Sequence, residues 1–201
     1  MVYFEQGHQE IIEGLVFDSL QKASGAMEKM LKIRITSKHV QLGRGRLLPN
    51  PDFDQLGRFK MHVVRVRLKG PIGGAFYFLI NGHEVDLINQ VCLPKQLYAR
   101  TLSENKHMKH GFMSEIENMI AALVIGDISE SLGVQLLNDV PEIQIMPGDS
   151  VNTYLMNENI LHKTDFHVSA VLTGRVVNIA PYFIWMLNSK FLEILRLNIV
   201  K

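Results

Sequence analysis

Apolar residues recur at helical spacing over residues 9–31, at Ile12, Leu15, Val16 and Leu20 and then at Met27, Met30 and Leu31. This predicts a long amphipathic helix, loosened near Gly14 and Gly25. Ile33, Ile35 and Val40 predict a strand over residues 32–41, and Pro49-Asn50-Pro51-Asp52 places turn chemistry in 47–56. Residues 58–69 alternate in the strand manner, with His62, Val64, Val66 and Leu68 on one face. Pro71-Ile72-Gly73-Gly74 makes a tight link to a second strand over 75–80, which predicts a hairpin. Asn81-Gly82 stops it, and 83–102 is again helical in pattern, broken near Pro94.

After a polar connection over 103–110 the pattern starts again. Residues 112–132 predict a helix with Ile116, Ile120, Leu123 and Val124 on one stripe. Strand-like segments follow at 134–137, 143–146 and 151–156. A hairpin around Gly174 is predicted from 161–173 and 175–184, and a last helix from 187–197. Both halves thus run long helix, strands, glycine-turned hairpin, helix. Aligning Leu31-Lys32-Ile33 with Leu132-Gly133-Val134 puts Gly14 on Glu115 and Phe17 on Asn118. The expectation is one α/β (α+β) domain made of two half-repeats, 9–103 and 110–198, related by a pseudo-two-fold axis. Its central, mostly antiparallel sheet is flanked by long helices. An exposed edge strand of either hairpin can pair with a second copy to give a homodimer.

Composition narrows the function classes. The 201 residues are 47% hydrophobic and 20% charged, with a formal net charge of +1. Nothing in that balance favours a nucleic-acid or membrane-surface partner. Gly43-Arg44-Gly45-Arg46 reads as a solvated loop and Arg65-Val66-Arg67 as one face of a strand. The single cysteine, Cys92, lies in an apolar run and reads as a buried small hydrophobe. The first residues carry no basic stretch followed by an apolar core, and no apolar run reaches the roughly 18 residues a bilayer requires. The expected location is cytoplasmic.

Candidate chemistry concentrates in Met113-Ser114-Glu115-Ile116-Glu117-Asn118-Met119-Ile120-Ala121-Ala122-Leu123. Met113, Ile116, Ile120 and Leu123 form the expected buried stripe. Glu115 and Asn118, three residues apart, project from the opposite side, with the small Ala122 one turn further on. A carboxamide is both donor and acceptor, so it can orient a water toward an electrophile without ionising. A carboxylate beside it can pair with a partner's lysine. On spacing alone a solvated helix face is the ordinary explanation. Other clusters carry less: His107 and His110 lack a surrounding Cys or carboxylate set, and Gly70–Gly74 joins two strands rather than a strand and a helix. Trp185 and the pair Met27 and Met30 read as core.

The context of that helix extends the reading. Glu115-Ile116-Glu117-Asn118 is followed by small and apolar residues, then Ser131-Leu132-Gly133-Val134 and Pro141. This resembles the signature helix of the CheC/CheX family of chemotaxis phosphatases, in which Asp or Ser, then Glu, then Asn, and a later proline mark the active surface. The stretches 68–78 and 170–177 also resemble that family's sheet. The resemblance implies a phosphatase acting on the aspartyl phosphate of a CheY-like response regulator. Glu115 would pair with the regulator's lysine and Asn118 would orient the attacking water. Gly111, Ser114 and Ala122 would lie against the partner. The resemblance implies no cofactor of the protein's own, with Mg²⁺ carried by the regulator. Two departures stand out. Gly111 occupies the family's Asp or Ser position, with Ser114 nearby but out of register. The first half carries Gly14 and Phe17 in place of the motif, so a single intact motif makes the pattern CheX-like. The alternative is a catalytically inactive module that binds a receiver domain or a flagellar-switch-type partner.

Overall fold

Strand β3 (Gly74–Asn81) has a sequence, GAFYFLIN, that no one-sided sheet accommodates: Phe76, Phe78 and Ile80 point to one face, Ala75, Tyr77 and Leu79 to the other, and all six are buried. Its neighbour β7 (Tyr182–Asn188) behaves alike, with Phe183, Trp185 and Leu187 opposite Ile184 and Met186. Helices therefore cover the sheet on both sides. The computed structural model describes residues 6–93, 102–174 and 178–199, with side chains described for 10–93, 111–174 and 178–197.

In chain order the remaining elements are α1 (Gln6–Leu31), β1 (Ile35–Arg44), α2 (Pro51–Leu56), β2 (Lys60–Lys69), α3 (Gly82–Cys92), α4 (Leu102–Leu132), β4 (Leu137–Asn138), β5 (Glu142–Pro147), α5 (Gly148–Leu161), β6 (Thr164–Gly174) and α6 (Ser189–Ile199). The seven strands form one antiparallel sheet in the order β1-β6-β7-β3-β2-β4, with β5 also on β2. The order helix, strand, short helix, hairpin occurs twice, and the strand that precedes each hairpin pairs with the other one: β1 with β6, β5 with β2. The main core lies between the sheet and the layer of α1, α3, α4 and α6, and holds the edge-on pair Phe76 and Trp185 at 5.4 Å between ring centres. The smaller core, around Phe53, Tyr77, Val151 and Leu155, lies under α2 and α5.

Several elements depart from the sequence pattern. Residues 151–156 form part of α5 and not a strand. Val151 and Leu155 are four apart and both buried against the smaller core, so the alternation read there is one helical turn. The turn residues of 47–56 contain α2: Asn50 caps it by accepting from the Asp52 N–H at 3.0 Å, and Pro51 occupies its first turn. The polar stretch 103–110 belongs to α4, and the helix α1 runs through Gly14 and Gly25 unbroken. The expected break at Pro94 lies outside the described residues. The hairpin strands β2, β3, β6 and β7 are all paired on both sides, so neither hairpin offers an edge to a second copy. The edge strand β1 instead carries an irregularity between Lys38 and Gln41, with His39 at φ +50°, which disrupts any added ladder.

Gly74 opens β3 at φ +145°, and a Cβ there would lie 2.0 Å from the Met186 carbonyl oxygen. Only a glycine lets β3 and β7 close at this point. Gly74→Ala is therefore expected to destabilise the fold by about 1–3 kcal/mol or more, read as a lower midpoint in denaturant unfolding.

Candidate functional site

The site is built on α4, whose length presents several turns to the core. Met113, Ile116, Ile120 and Val124 are buried against the sheet and the other helices. The opposite face carries Gly111, Glu115, Met119, Ala122 and Leu123, all exposed. Leu123 is 42% exposed and stands on the outward face, not in the buried stripe where its spacing placed it. At 100° per residue, Leu123 lies closer to Met119 than to Ile120 on the wheel.

Glu115 is exposed and Ala122 shares its face, as the spacing implied. Ser114 is half-buried at the margin of that face. Gly111 is exposed, and a Cβ added there would meet open space, so packing does not demand glycine at this position. Asn118 sits on the rim, half-buried, where α4 passes β4. There its Oδ1 accepts a hydrogen bond from Asn138 Nδ2 at 2.6 Å. The two named side chains thus open on one surface, Glu115 free of the core and Asn118 with one end anchored.

Local structure explains the anchor. Helix α4 ends in a Schellman arrangement: Gly133 adopts φ +59°, its N–H donates to the Glu130 carbonyl at 3.2 Å, and the Val134 N–H donates to the Ser129 carbonyl at 3.0 Å. Ser129 Oγ donates to the Val134 carbonyl and accepts from the Leu136 N–H at 3.2 Å, tying the returning chain to the helix. Strand β4 then pairs with β2, Asn138 opposite Leu68 and Leu137 opposite Lys69, and the Asp139 N–H donates to the Arg67 carbonyl at 2.9 Å. Lys69 Nζ donates to Asp139 Oδ1 at 2.8 Å. That bond, helped by the Val140 N–H, holds the Asp139 carboxyl below the usual range. Pro141 follows directly and is half-buried.

Two features of the neighbourhood had no signal in the sequence. Asn138 lies twenty residues beyond Asn118 and reaches it only because the chain doubles back. Glu117 is fully buried, and neither of its carboxyl oxygens has a hydrogen-bond partner. Burial alone pushes this carboxyl well above the usual range, which favours its protonated form. Other polar, aromatic and thiol groups take structural places. Asp127 accepts from Ser19 at 2.8 Å and pairs with Lys22 across α1 and α4. Trp185 is buried, and the half-buried Cys92 thiol approaches the Met30 carbonyl, with burial raising its pKa. The side chains of His107 and His110 lie outside the described residues. Arg65 is buried on the far face of the sheet, donating to Glu158 at 2.7 Å and Glu142 at 2.6 Å.

No protein-family model and no curated protein matches the chain. Solved structures do. The chain is similar to Thermotoga maritima FliY (14% identity, 97% of each chain covered, TM-score 0.68). It is similar to CheX in a CheX-CheY-BeF3-Mg²⁺ complex from Borrelia burgdorferi (14% identity, 86% of this chain and 97% of that one, TM-score 0.57). It is also similar to the FliM middle domain from H. pylori (11% identity, 96% and 99% covered, TM-score 0.59). The fold is CheC/CheX-like. That fold is α+β with an antiparallel sheet flanked by helices, in keeping with the expected mostly antiparallel sheet, and here the sheet has seven strands among the described residues. No helix among the described residues is long and apolar enough to cross a membrane.

Within the CheC/CheX-like fold, Glu117 is an isolated buried acid, and replacing it tests that description. The folded state holds a proton that the unfolded chain releases above its ordinary pKa of 4.5. Wild-type stability therefore falls as pH rises from that value toward the raised folded value. Glu117→Met is expected to be more stable than wild type at pH 7 by about 1–3 kcal/mol, with the gain shrinking as pH falls toward 4.5 and levelling off below it. Denaturant unfolding across that pH range measures it.

Proposed function

We propose that this protein is a CheX/CheC-like phosphatase that removes phosphate from the aspartyl phosphate of a CheY-like response regulator. The observation that supports this most directly is the placement of Glu115 and Asn118 together on the outward side of α4, one exposed and the other half-buried at the rim with its amide anchored. In this reading α4 lies against the regulator, and the Glu115 carboxylate pairs with the regulator's lysine. The Asn118 carboxamide enters the regulator's site and orients the attacking water in line with the phosphorus. Phosphoryl transfer needs little covalent help from the protein, so a positioned amide suffices for a sizeable rate gain. Mg²⁺ and the phosphoryl group belong to the regulator. Gly111, Ser114 and Ala122 form the close-approach surface beside the pair. The two half-repeats, 9–103 and 110–198, are part of the proposal, and the exchange of β1 and β5 between the hairpins supports them.

A second reading is favoured by Gly111 and by α1. Gly111 lacks the acid or hydroxyl of the family pattern, and the corresponding face of α1 carries Gly14 and an exposed Phe17. On this reading the fold only recognises a receiver domain or a flagellar-switch-type partner, without turnover.

Purified wild-type protein is expected to accelerate phosphate loss from a cognate receiver domain by about 10–100-fold, and Asn118→Ala protein to abolish that gain while still binding. Glu115→Ala is expected to weaken binding to the beryllofluoride-activated receiver. Phosphorylation-dependent binding with unchanged phosphate loss would select the binding module, and turnover gained in Gly111→Asp would then identify the missing side chain as the cause. Neither binding nor turnover across the organism's phosphorylated receivers would sink both readings.

A further inference from the structure

We infer that Asn138 is the positioning residue for Asn118, a role that rests on the phosphatase reading above. An asparagine side chain has two ends of nearly equal size and opposite hydrogen-bonding character, and its terminal torsion is soft. A carboxamide left free on a helix surface presents either end to an incoming substrate. A water-orienting role requires one end, held in one plane. In this protein Asn138 Nδ2 donates to Asn118 Oδ1 at 2.6 Å. That single bond does three things. It selects the rotamer in which the Asn118 oxygen faces β4, fixes the plane of the amide, and polarises it. The Asn118 NH2 group and the second lone pair of its oxygen remain available on the open side.

Asn138 is suited to this because its own backbone is held from two directions. The strand register sets it opposite Leu68 on β2, and the Asp139 N–H to Arg67 carbonyl bond of 2.9 Å locks the next residue. On the other side the helix end at Gly133 and the Ser129 hydroxyl fix the path from α4 to β4. The donor therefore stands on the sheet while the acceptor stands on the helix, and the pair transmits the rigidity of both to the reacting end. Beside β4, Lys69 and Asp139 pair with each other at 2.8 Å, and Arg67 also acts on the Asp139 carboxylate.

The decisive substitution is Asn138→Asp. It keeps size and shape but removes the donor, so the acceptor it presents forces Asn118 to turn its NH2 end toward β4. A merely structural contact tolerates that reversal, because a hydrogen bond survives. A positioning contact does not. Asn138→Asp is expected to lower turnover of the phosphorylated receiver at saturation about tenfold or more, with half-saturating concentration and thermal midpoint within about twofold and a few degrees of wild type. Asn138→Ala, which leaves Asn118 unanchored but not reversed, is expected to lose less. Full turnover in Asn138→Asp overturns the inference. So does a loss that appears entirely in the half-saturating concentration.

A second measurement keeps the inference separate from the phosphatase reading. In ¹⁵N-edited spectra the Asn118 side-chain NH2 signals are expected to shift in Asn138→Asp and to titrate with the new carboxyl. If wild-type protein accelerates no receiver, the phosphatase reading fails while these shifts still show that residue 138 sets the Asn118 amide. If the Asn118 signals are unmoved in Asn138→Asp, positioning is overturned whatever the activity.

Discussion

Everything in this molecule follows from two strands that are apolar on both faces. Strands β3 and β7 carry large side chains up and down, with Phe76, Phe78, Phe183 and Trp185 on one side and Tyr77, Leu79 and Met186 on the other. At roughly 25 cal/mol per Å² of apolar surface, leaving either face wet would forfeit a large part of the folding free energy. Both faces must be roofed. The chain meets that demand, among the described residues, with four helices on one side and two on the other, and with glycine where β3 and β7 pass too close for a Cβ. A helix used as a roof buries one stripe and leaves the other exposed. The exposed stripe of α4 is where Glu115 stands, with Asn118 at its margin.

Two buried polar groups show how differently the fold treats charge. Arg65 lies under α5 with donors directed to Glu158 and Glu142, and Tyr77 Oη donates to Glu158 at 2.7 Å. Burial raises the Glu158 carboxyl, but the bonds from Arg65 and Tyr77 outweigh it and hold the group below its ordinary range. The pair is compensated, which is the condition under which a buried ion is tolerated. Glu117, on the inward side of the site helix, has no such partners, and burial pushes its carboxyl toward the neutral form. The helix that bears the candidate site therefore carries an uncompensated polar group in its core face, within one turn of the side chains it presents.

Helices α1 and α4 pack into the same core and turn different chemistry outward. On α4 the outward face bears a carboxylate with a carboxamide at its rim; on α1 it bears Gly14 and Phe17, the latter 56% exposed. A likeness at 14% identity to CheX or FliY carries the fold and not the reaction. What argues for chemistry on α4 is local: which side chains share its surface, and what holds them.

Periodicity made the long helices, the β2–β3 hairpin and strand β6 legible, because a helix stripe and an alternating strand are written directly in residue order; it set the partner of β6 at 175–184, where the structure has β7 at Tyr182–Asn188. It also placed Glu115, Asn118 and Ala122 around one outward side, since helix geometry is fixed by spacing. It misread residues 151–156, where two apolar residues four apart fit a short strand or a helical turn equally well. It misplaced Leu123, whose wheel position lies at the border of the buried stripe. Strand order, the exchange of β1 and β5 between hairpins, and the burial of Glu117 were decided only when distant segments packed, because each depends on contacts between residues far apart in the chain. The Asn118–Asn138 hydrogen bond is of that kind too: residue order supplied the amide, and only the turn at Gly133 and the pairing of β4 with β2 supplied its partner.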